Sequence, residues 1–306
     1  MIANKQSRQQ ITDATKTVVL YHANCLDGFG AAYATWLTLG DSGVAYVPVQ
    51  YGDNVPEDLE GKTVYVLDFC YPLEVMVDIA QAATKLIVID HHKTSGTILS
   101  ELQEYSYNIS VTWDDTKSGA VLAWEYFDPY KDAPFGLQMI EDRDLWKFAY
   151  KNTKNFCTGL ADTVARNFES WYEAFIYYEY LITERGKIIN KIFDKECQEL
   201  IDSYSYTCYI HFWENPEVEF AEKGLACNAP AKFASELGNL LALRSGTYGA
   251  VWQYEGAGKY KVSLRSIGDY DVEVIARYYG GGGHAQAAGF ICTDITTVLE
   301  DISNGT

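Results

Sequence analysis

The stretch Leu86-Ile87-Val88-Ile89-Asp90-His91-His92-Lys93 constrains this chain more than any other. Four aliphatic residues in a row, two of them Ile and one Val, read as a strand covered on both faces, the kind buried inside a parallel sheet. The run closes on a carboxylate and two adjacent imidazoles. In an open α/β sheet, ligands bind beyond the carboxyl ends of the strands, so chemistry is expected at this strand end. An isolated histidine pair after a strand is as often a solvated turn as a site. The same pattern repeated upstream decides between the two.

Val18-Val19-Leu20-Tyr21 is a short strand, followed by the polar loop His22 to Gly28 and by a small, apolar, helical segment from Phe29 to Leu39. Val44 to Val49 and Thr63 to Leu67 are further strands, the second stopping at Asp68, and Pro72 suits the first turn of the next helix. Strands alternating with helices at this spacing predict an α/β fold with a doubly wound parallel sheet. Three strands then deliver His22 and Asp27, next Asp68, next Asp90, His91 and His92 to one edge. Of the five histidines in the chain, three lie there, which makes helix capping a poor explanation for all of them. Aspartate and imidazole also suit divalent ions such as Mn²⁺.

Downstream, Ser118 is placed to cap a helix over 121–127, and Pro134 opens another that ends at Asp142-Arg143-Asp144-Leu145-Trp146. Trp171 to about Tyr204 reads as long helical matter bridging two domains. From Tyr206 the pattern changes to strands over 206–211 and 225–227, a helix over 231–243, a hairpin around Glu255-Gly256-Ala257-Gly258 and a helix over 272–279. The expected organisation is an N-terminal arm (1–17), a first domain (18–167), a helical linker (168–204) and a smaller α/β domain (205–306). The glycine run Gly280 to Gly283 before His284 is no Walker A loop, because no Gly-Lys-Ser/Thr follows it. Consecutive glycines let backbone N–H groups converge on an anion, so anion binding is the expectation for this segment.

The net charge of −18, from 24 basic and 42 acidic residues, repels long nucleic acid. A polyanionic substrate should therefore be small and held through metal. Seven cysteines with no CxxC pair disfavour a zinc knuckle or a disulfide framework and suit a reducing cytoplasm. Met1 to Thr17 lacks the apolar core of a signal peptide, and no apolar run approaches membrane-spanning length. A cytoplasmic chain is the expectation.

Six motifs carry a resemblance: Tyr21-His22-Ala23-Asn24-Cys25-Leu26-Asp27-Gly28, Val66-Leu67-Asp68, Val88-Ile89-Asp90-His91-His92, Asp142 to Phe148, Val262-Ser263-Leu264-Arg265-Ser266, and Gly280 to Phe290. Together, over residues 17–295, they resemble the DHH phosphoesterase superfamily, specifically members with a C-terminal DHHA1 domain. The resemblance implies a DHH domain, a helical linker and a DHHA1 domain, with the active site between the two domains. It implies one or two divalent ions, Mn²⁺ foremost with Mg²⁺ or Co²⁺ as alternatives. Asp27, Asp68, His91 and Asp142 would be ligands, Asp68 the bridge and His22 an additional ligand. Asp90 would orient the histidines, His92 would face the scissile phosphate, and Arg265, Gly282, Gly283 and His284 would bind substrate.

Two points stay open in that correspondence. The family's first motif usually carries two aspartates one residue apart, and this chain has Cys25-Leu26-Asp27. Cys25 is then either a soft ligand or leaves a metal position to His22 and solvent; in another register, Asp27 takes the earlier position and Phe29 the later. Asp144 competes with Asp142, which is preferred because it alone keeps the aromatic and basic residues after it in step. The implied activity is that of a metal-dependent phosphodiesterase of exonuclease or oligoribonuclease type, releasing mononucleotides from short oligonucleotides or acting on nucleotide bisphosphates. A cyclic dinucleotide phosphodiesterase is the alternative; a manganese pyrophosphatase and a non-catalytic nucleic-acid-binding relative rank lower. The expected partner is a short nucleic acid or nucleotide, neither long duplex DNA nor a membrane, and a homodimer is compatible with it.

Overall fold

The computed structural model describes residues 10–106, 108–215, 218–220 and 223–302. The chain divides into two compact units, residues 1–190 and 191–306. The first opens with β1 (Thr17–His22), α1 (Leu26–Leu39), β2 (Val44–Val49), β3 (Thr63–Leu67), α2 (Leu73–Ala82), β4 (Lys85–Asp90), α3 (Lys93–Leu102) and β5 (Ile109–Trp113). The strands pair in parallel in the order β2-β1-β3-β4-β5. Alternate residues of the inner strands enter two cores: Val19, Tyr21, Leu67, Ile87 and Ile89 on one face, Val18, Leu20, Val64, Val66, Leu86 and Val88 on the other. Burial on both faces is why these strands are continuous aliphatic runs.

The strand order reverses between β1 and β3. The chain leaves β1 toward one edge of the sheet and β3 toward the other. A crevice therefore opens beyond the carboxyl ends of these two neighbours, the usual ligand position in such sheets.

Four whole helices follow in this unit: α4 (Gly119–Phe127), α5 (Phe135–Asp144), α6 (Thr153–Thr163) and α7 (Phe168–Tyr177). Ser118 caps α4 as the sequence predicts, its hydroxyl accepting from the Val121 amide at 3.4 Å. The long helical stretch expected from Trp171 to about Tyr204 is built of two helices, parted at Tyr178, with α8 (Glu179–Tyr204) as the second. Trp171 of α7 is fully buried, its ring edge-on to Phe29 of α1 at 4.7 Å. α7 thus belongs to the first core, and the division between the units falls within α8.

The second unit holds β6 (Ser205–Asn215), β7 (Val218–Phe220), β8 (Gly224–Asn228), α9 (Ala234–Ser245), β9 (Tyr248–Gly256), β10 (Lys259–Ser266), α10 (Val272–Tyr278), β11 (Gly282–His284), β12 (Ala287–Cys292) and β13 (Leu299–Asp301). Its sheet runs β11-β12-β10-β9-β8-β6-β13, with β7 on β6. Only the β8–β9 pairing among these is parallel. Cys227 and Val251 pack with Leu237 and Leu241 of α9. Ala226, Ala250, Val262 and Leu264 point the opposite way and pack with Ile275 of α10. All seven cysteines are free thiols. No helix among the described residues is long and apolar enough to cross a membrane.

Candidate active site

Parallel strands bring their carboxyl ends to one edge, and there the polar residues meet. His22 ends β1, Asp68 follows β3 and Asp90 ends β4. Asp27 lies in the first turn of α1 and Asp144 at the end of α5. Gly28 lets α1 start hard against β1, since a Cβ there would lie 2.2 Å from the His22 carbonyl oxygen. Asp68 has a left-handed backbone, φ 60°, rare for a residue with a side chain. Such strain costs on the order of 1–3 kcal/mol and persists where the surroundings enforce it. Here the surroundings are the site.

Donor atoms gather here in three groups: Asp68, Asp90, His91 and His92 in one, and two triads beside it. His22, Cys25 and Asp68 each offer a donor atom within 4.8 Å of the others, and so do Asp27, His91 and Asp144. Asp68 connects them: its Oδ2 is 3.4 Å from His22 Nδ1 and its Oδ1 3.2 Å from His91 Nε2. His91 Nε2 is also 3.6 Å from Asp27 Oδ2 and 3.5 Å from Asp144 Oδ2. Asp27 is held from behind by α4, whose Gly119 and Ala120 amides donate to its two oxygens at 2.6 and 2.9 Å. Asp90 Oδ1 lies 2.7 Å from His92 Nδ1 and accepts the His91 and His92 amides at 2.8 and 3.3 Å.

The charges are in conflict. Burial, then the Asp68 and Asp144 carboxylates, push Asp27 well above the usual carboxylate range. The Asp144 side chain keeps 28% of its exposure, yet burial among its neighbours and the Asp68 charge push its carboxyl up to about 6. Burial alone would raise Asp68 and lower His91. The histidines instead hold Asp68 below its ordinary value, and Asp68, Asp27 and Asp144 lift His91 to about 10. Burial likewise opposes the charged form of His92, and its bond to Asp90 overrides this and raises it.

Both oxygens of the buried Asp68 and the Nδ1 of His22 lack a hydrogen-bond partner. Buried polar atoms are rarely left so. Three carboxylates, two imidazoles and a thiol facing one another, with no hydrogen bond satisfying the central Asp68, fit divalent cations. His22, Asp27, Asp68, His91 and Asp144 could hold them.

Asp142 is not brought into this cluster. Its carboxylate accepts from the Ala149 amide at 2.7 Å, the Tyr150 amide at 3.1 Å and the Thr153 hydroxyl, fixing the turn after α5. Residues two apart on a helix point about 200° apart, so only one of Asp142 and Asp144 can face the crevice. Asp144 faces it, and the order of the residues downstream was no guide to helix phase. Gly119 is a residue the sequence did not single out. A Cβ there would lie 2.8 Å from the Asp68 Cβ and 3.0 Å from Asp27 Oδ2. The available signal was a glycine directly after an N-capping serine.

In the second unit, β12 runs between β10 and β11, with Arg265 and His284 both opposite Ala287. Residues directly opposite share a face, so Arg265 and His284 flank a floor of small residues, Ala287, Gly289 and Gly282. A Cβ at Gly282 would meet nothing within 4 Å, whereas one at Gly283 would lie 2.4 Å from the Ala287 carbonyl oxygen. The Arg265 guanidinium is fixed by donating to the Leu264 carbonyl and the Ser235 hydroxyl, both at 2.8 Å. These use two of its five N–H donors.

Residues 228–304 match the DHHA1 domain family. The chain is 33% identical to an uncharacterised protein of Acanthamoeba polyphaga mimivirus, over 92% of this chain and 69% of that protein. It is 24% identical to oligoribonuclease NrnB of Bacillus subtilis, over 90% of this chain and 73% of that protein. Among solved structures it shares its fold with RecJ of Thermus thermophilus, determined with Mn²⁺, at a TM-score of 0.52 and 14% identity. That match covers 94% of this chain and 51% of RecJ.

Proposed function

This chain belongs to the DHH/DHHA1 phosphoesterase superfamily, and on that premise we propose that it is a divalent-metal-dependent phosphodiesterase releasing mononucleotides from short oligonucleotides. The observation that carries the reading is the pair of donor triads joined by Asp68, whose buried oxygens have no hydrogen-bond partner. Bound cations, Mn²⁺ foremost, would supply Lewis acidity and charge neutralisation at a phosphoryl group. His22, Asp27, Asp68, His91 and Asp144 hold them. The α4 amides keep the Asp27 carboxylate aimed, and Asp90 fixes the His92 ring. His92 sits beside the cluster, its Nδ1 3.9 Å from Asp68 Oδ1, and exchanges a proton with the phosphate or the leaving oxygen. Arg265 and His284 bind a substrate phosphate over the small-residue floor.

The short-substrate part rests on charge. Long single strands gain affinity by neutralising many phosphates, and 24 basic residues against 42 acidic ones provide no surplus for that. The test is product analysis after incubation with Mn²⁺ and separate dinucleotides, cyclic dinucleotides, nucleotide bisphosphates, pyrophosphate and long single strands. Mononucleotides from the dinucleotide, with efficiency falling steeply as the strand lengthens, are expected. Dinucleotide binding should show a salt slope for about one to three phosphate contacts, roughly −0.7 per contact. Preferential cleavage of cyclic dinucleotides or pyrophosphate would reassign the substrate, and equal degradation of long strands would overturn the length limit.

A further inference from the structure

The two donor triads differ in chemistry. Asp27, His91 and Asp144 form a set rich in carboxylate oxygen, whereas His22, Cys25 and Asp68 offer one nitrogen, one sulfur and one carboxylate. Asp27 does not make up the difference, because its Oδ2 is the oxygen nearest His91 and both its oxygens are held by α4. We infer that the Cys25 thiolate is a metal ligand, completing with His22 and Asp68 a cation position that prefers borderline or soft ions such as Co²⁺ or Zn²⁺ to Mg²⁺. This rests on the metal-dependent reading above and adds a ligand and a selectivity to it.

Three observations support it. Cys25 is the N-cap residue of α1 without a standard side-chain capping bond, and only the Gly28 amide bears on its sulfur, which leaves the sulfur open toward His22 and Asp68. The two other members of its triad carry buried atoms of the site that make no hydrogen bond, Asp68 being 1% exposed with neither oxygen hydrogen-bonded and His22 Nδ1 facing it at 3.4 Å. Finally, the other cysteine at these strand ends, Cys70, is turned to the Tyr71 carbonyl at 3.1 Å and belongs to none of the donor groups. Thiolate ligands favour softer ions, and carboxylates and water favour Mg²⁺ and Mn²⁺, so one soft and one hard position should sit side by side. On binding, the Cys25 S–H bond breaks, its proton leaves to solvent and a sulfur–metal bond forms, with no change of oxidation state.

The experiment uses the full chain, stripped with a chelator and reloaded with Co²⁺, read by metal content, near-ultraviolet absorption and cobalt X-ray absorption. Two Co²⁺ per chain, a thiolate-to-cobalt charge-transfer band and one sulfur neighbour for the two ions are expected. The band should vanish in Cys25→Ser and persist in Cys70→Ser. Cys25→Asp should lose the band and take up Mg²⁺ in place of Co²⁺ at one position when both ions compete. Because sulfur is seen directly by X-ray absorption in the unmutated protein, the result does not depend on any variant folding. Two bound Co²⁺ with no sulfur neighbour would overturn the thiolate ligand and leave the metal-dependent reading standing. A band that survives Cys25→Ser would overturn it too, and a chain that binds no Co²⁺ at all would remove both.

Discussion

His92 Nδ1 lies 2.7 Å from Asp90 Oδ1, the same carboxylate oxygen that accepts the His91 and His92 backbone amides. One buried oxygen thus fixes both the backbone turn and the ring that ends it. With Nδ1 engaged, any proton that His92 exchanges with substrate must pass through Nε2.

His92→Ala should therefore lower turnover by on the order of 10²-fold while leaving metal content and fold unchanged. Asp90→Asn should lower turnover as well and shift its pH profile, because the ring loses a charged partner. Turnover, metal analysis and circular dichroism on the two variants decide it; near-normal turnover in His92→Ala removes that residue from the mechanism.

Asp142 and Asp144 should separate cleanly. Asp142→Ala strands two backbone amides and the Thr153 hydroxyl, and should cost on the order of 3 kcal/mol of stability. Asp144→Asn relieves repulsion in the cluster, so it should leave the melting temperature near that of the unmutated protein and weaken Mn²⁺ binding. Thermal unfolding and metal titration would show the reverse pattern if Asp142 were the ligand.

That pair marks where the sequence stops being legible. Parallel strands buried on both faces announce themselves as aliphatic runs, and their ends must share one edge, so His22, Asp68, Asp90 and His91 could be placed together from residue order alone. The glycine run before His284 suggested an anion site from its residues, whereas Arg265 entered only through the family resemblance; the register sets both on one face. Helix phase has no such anchor. Whether Asp142 or Asp144 turns inward depends on where α5 ends, and that is set by the turn that Asp142 itself holds together. The break at Tyr178 was equally hidden: Tyr177 to Glu179 contains neither Pro nor Gly, and burial of Trp171 in the first core sets the course of α7.

Gly119→Ala tests how tightly the site is built. Its methyl group would approach the Asp68 Cβ to 2.8 Å and Asp27 Oδ2 to 3.0 Å. Overpacking of this kind costs about 1–3 kcal/mol. A loss of that size in denaturant unfolding, together with weaker Mn²⁺ binding, is expected; unaltered metal affinity would mean the ligands tolerate displacement.

Cation binding should be coupled to protons. His91 is lifted to about 10 in the metal-free protein, so at neutral pH it carries a proton that must leave before Nε2 can coordinate. Because the metal-free state is the one holding that proton, affinity should strengthen as pH rises, by about tenfold per unit for each proton released. Calorimetry in buffers of different ionisation enthalpy, between about pH 6 and 8, measures the release. A buffer-independent heat and a flat affinity would contradict it.

The most direct test of the whole reading is the metal content and dinucleotide hydrolysis of Asp68→Ala beside the unmutated protein. Asp68 touches both donor triads and spends no oxygen on hydrogen bonding. The unmutated chain should bind Mn²⁺ and convert the dinucleotide to mononucleotides. The variant should remain folded, lose bound Mn²⁺ and lose turnover together. Undiminished metal content and hydrolysis in Asp68→Ala would contradict a metal-dependent active site centred on this residue.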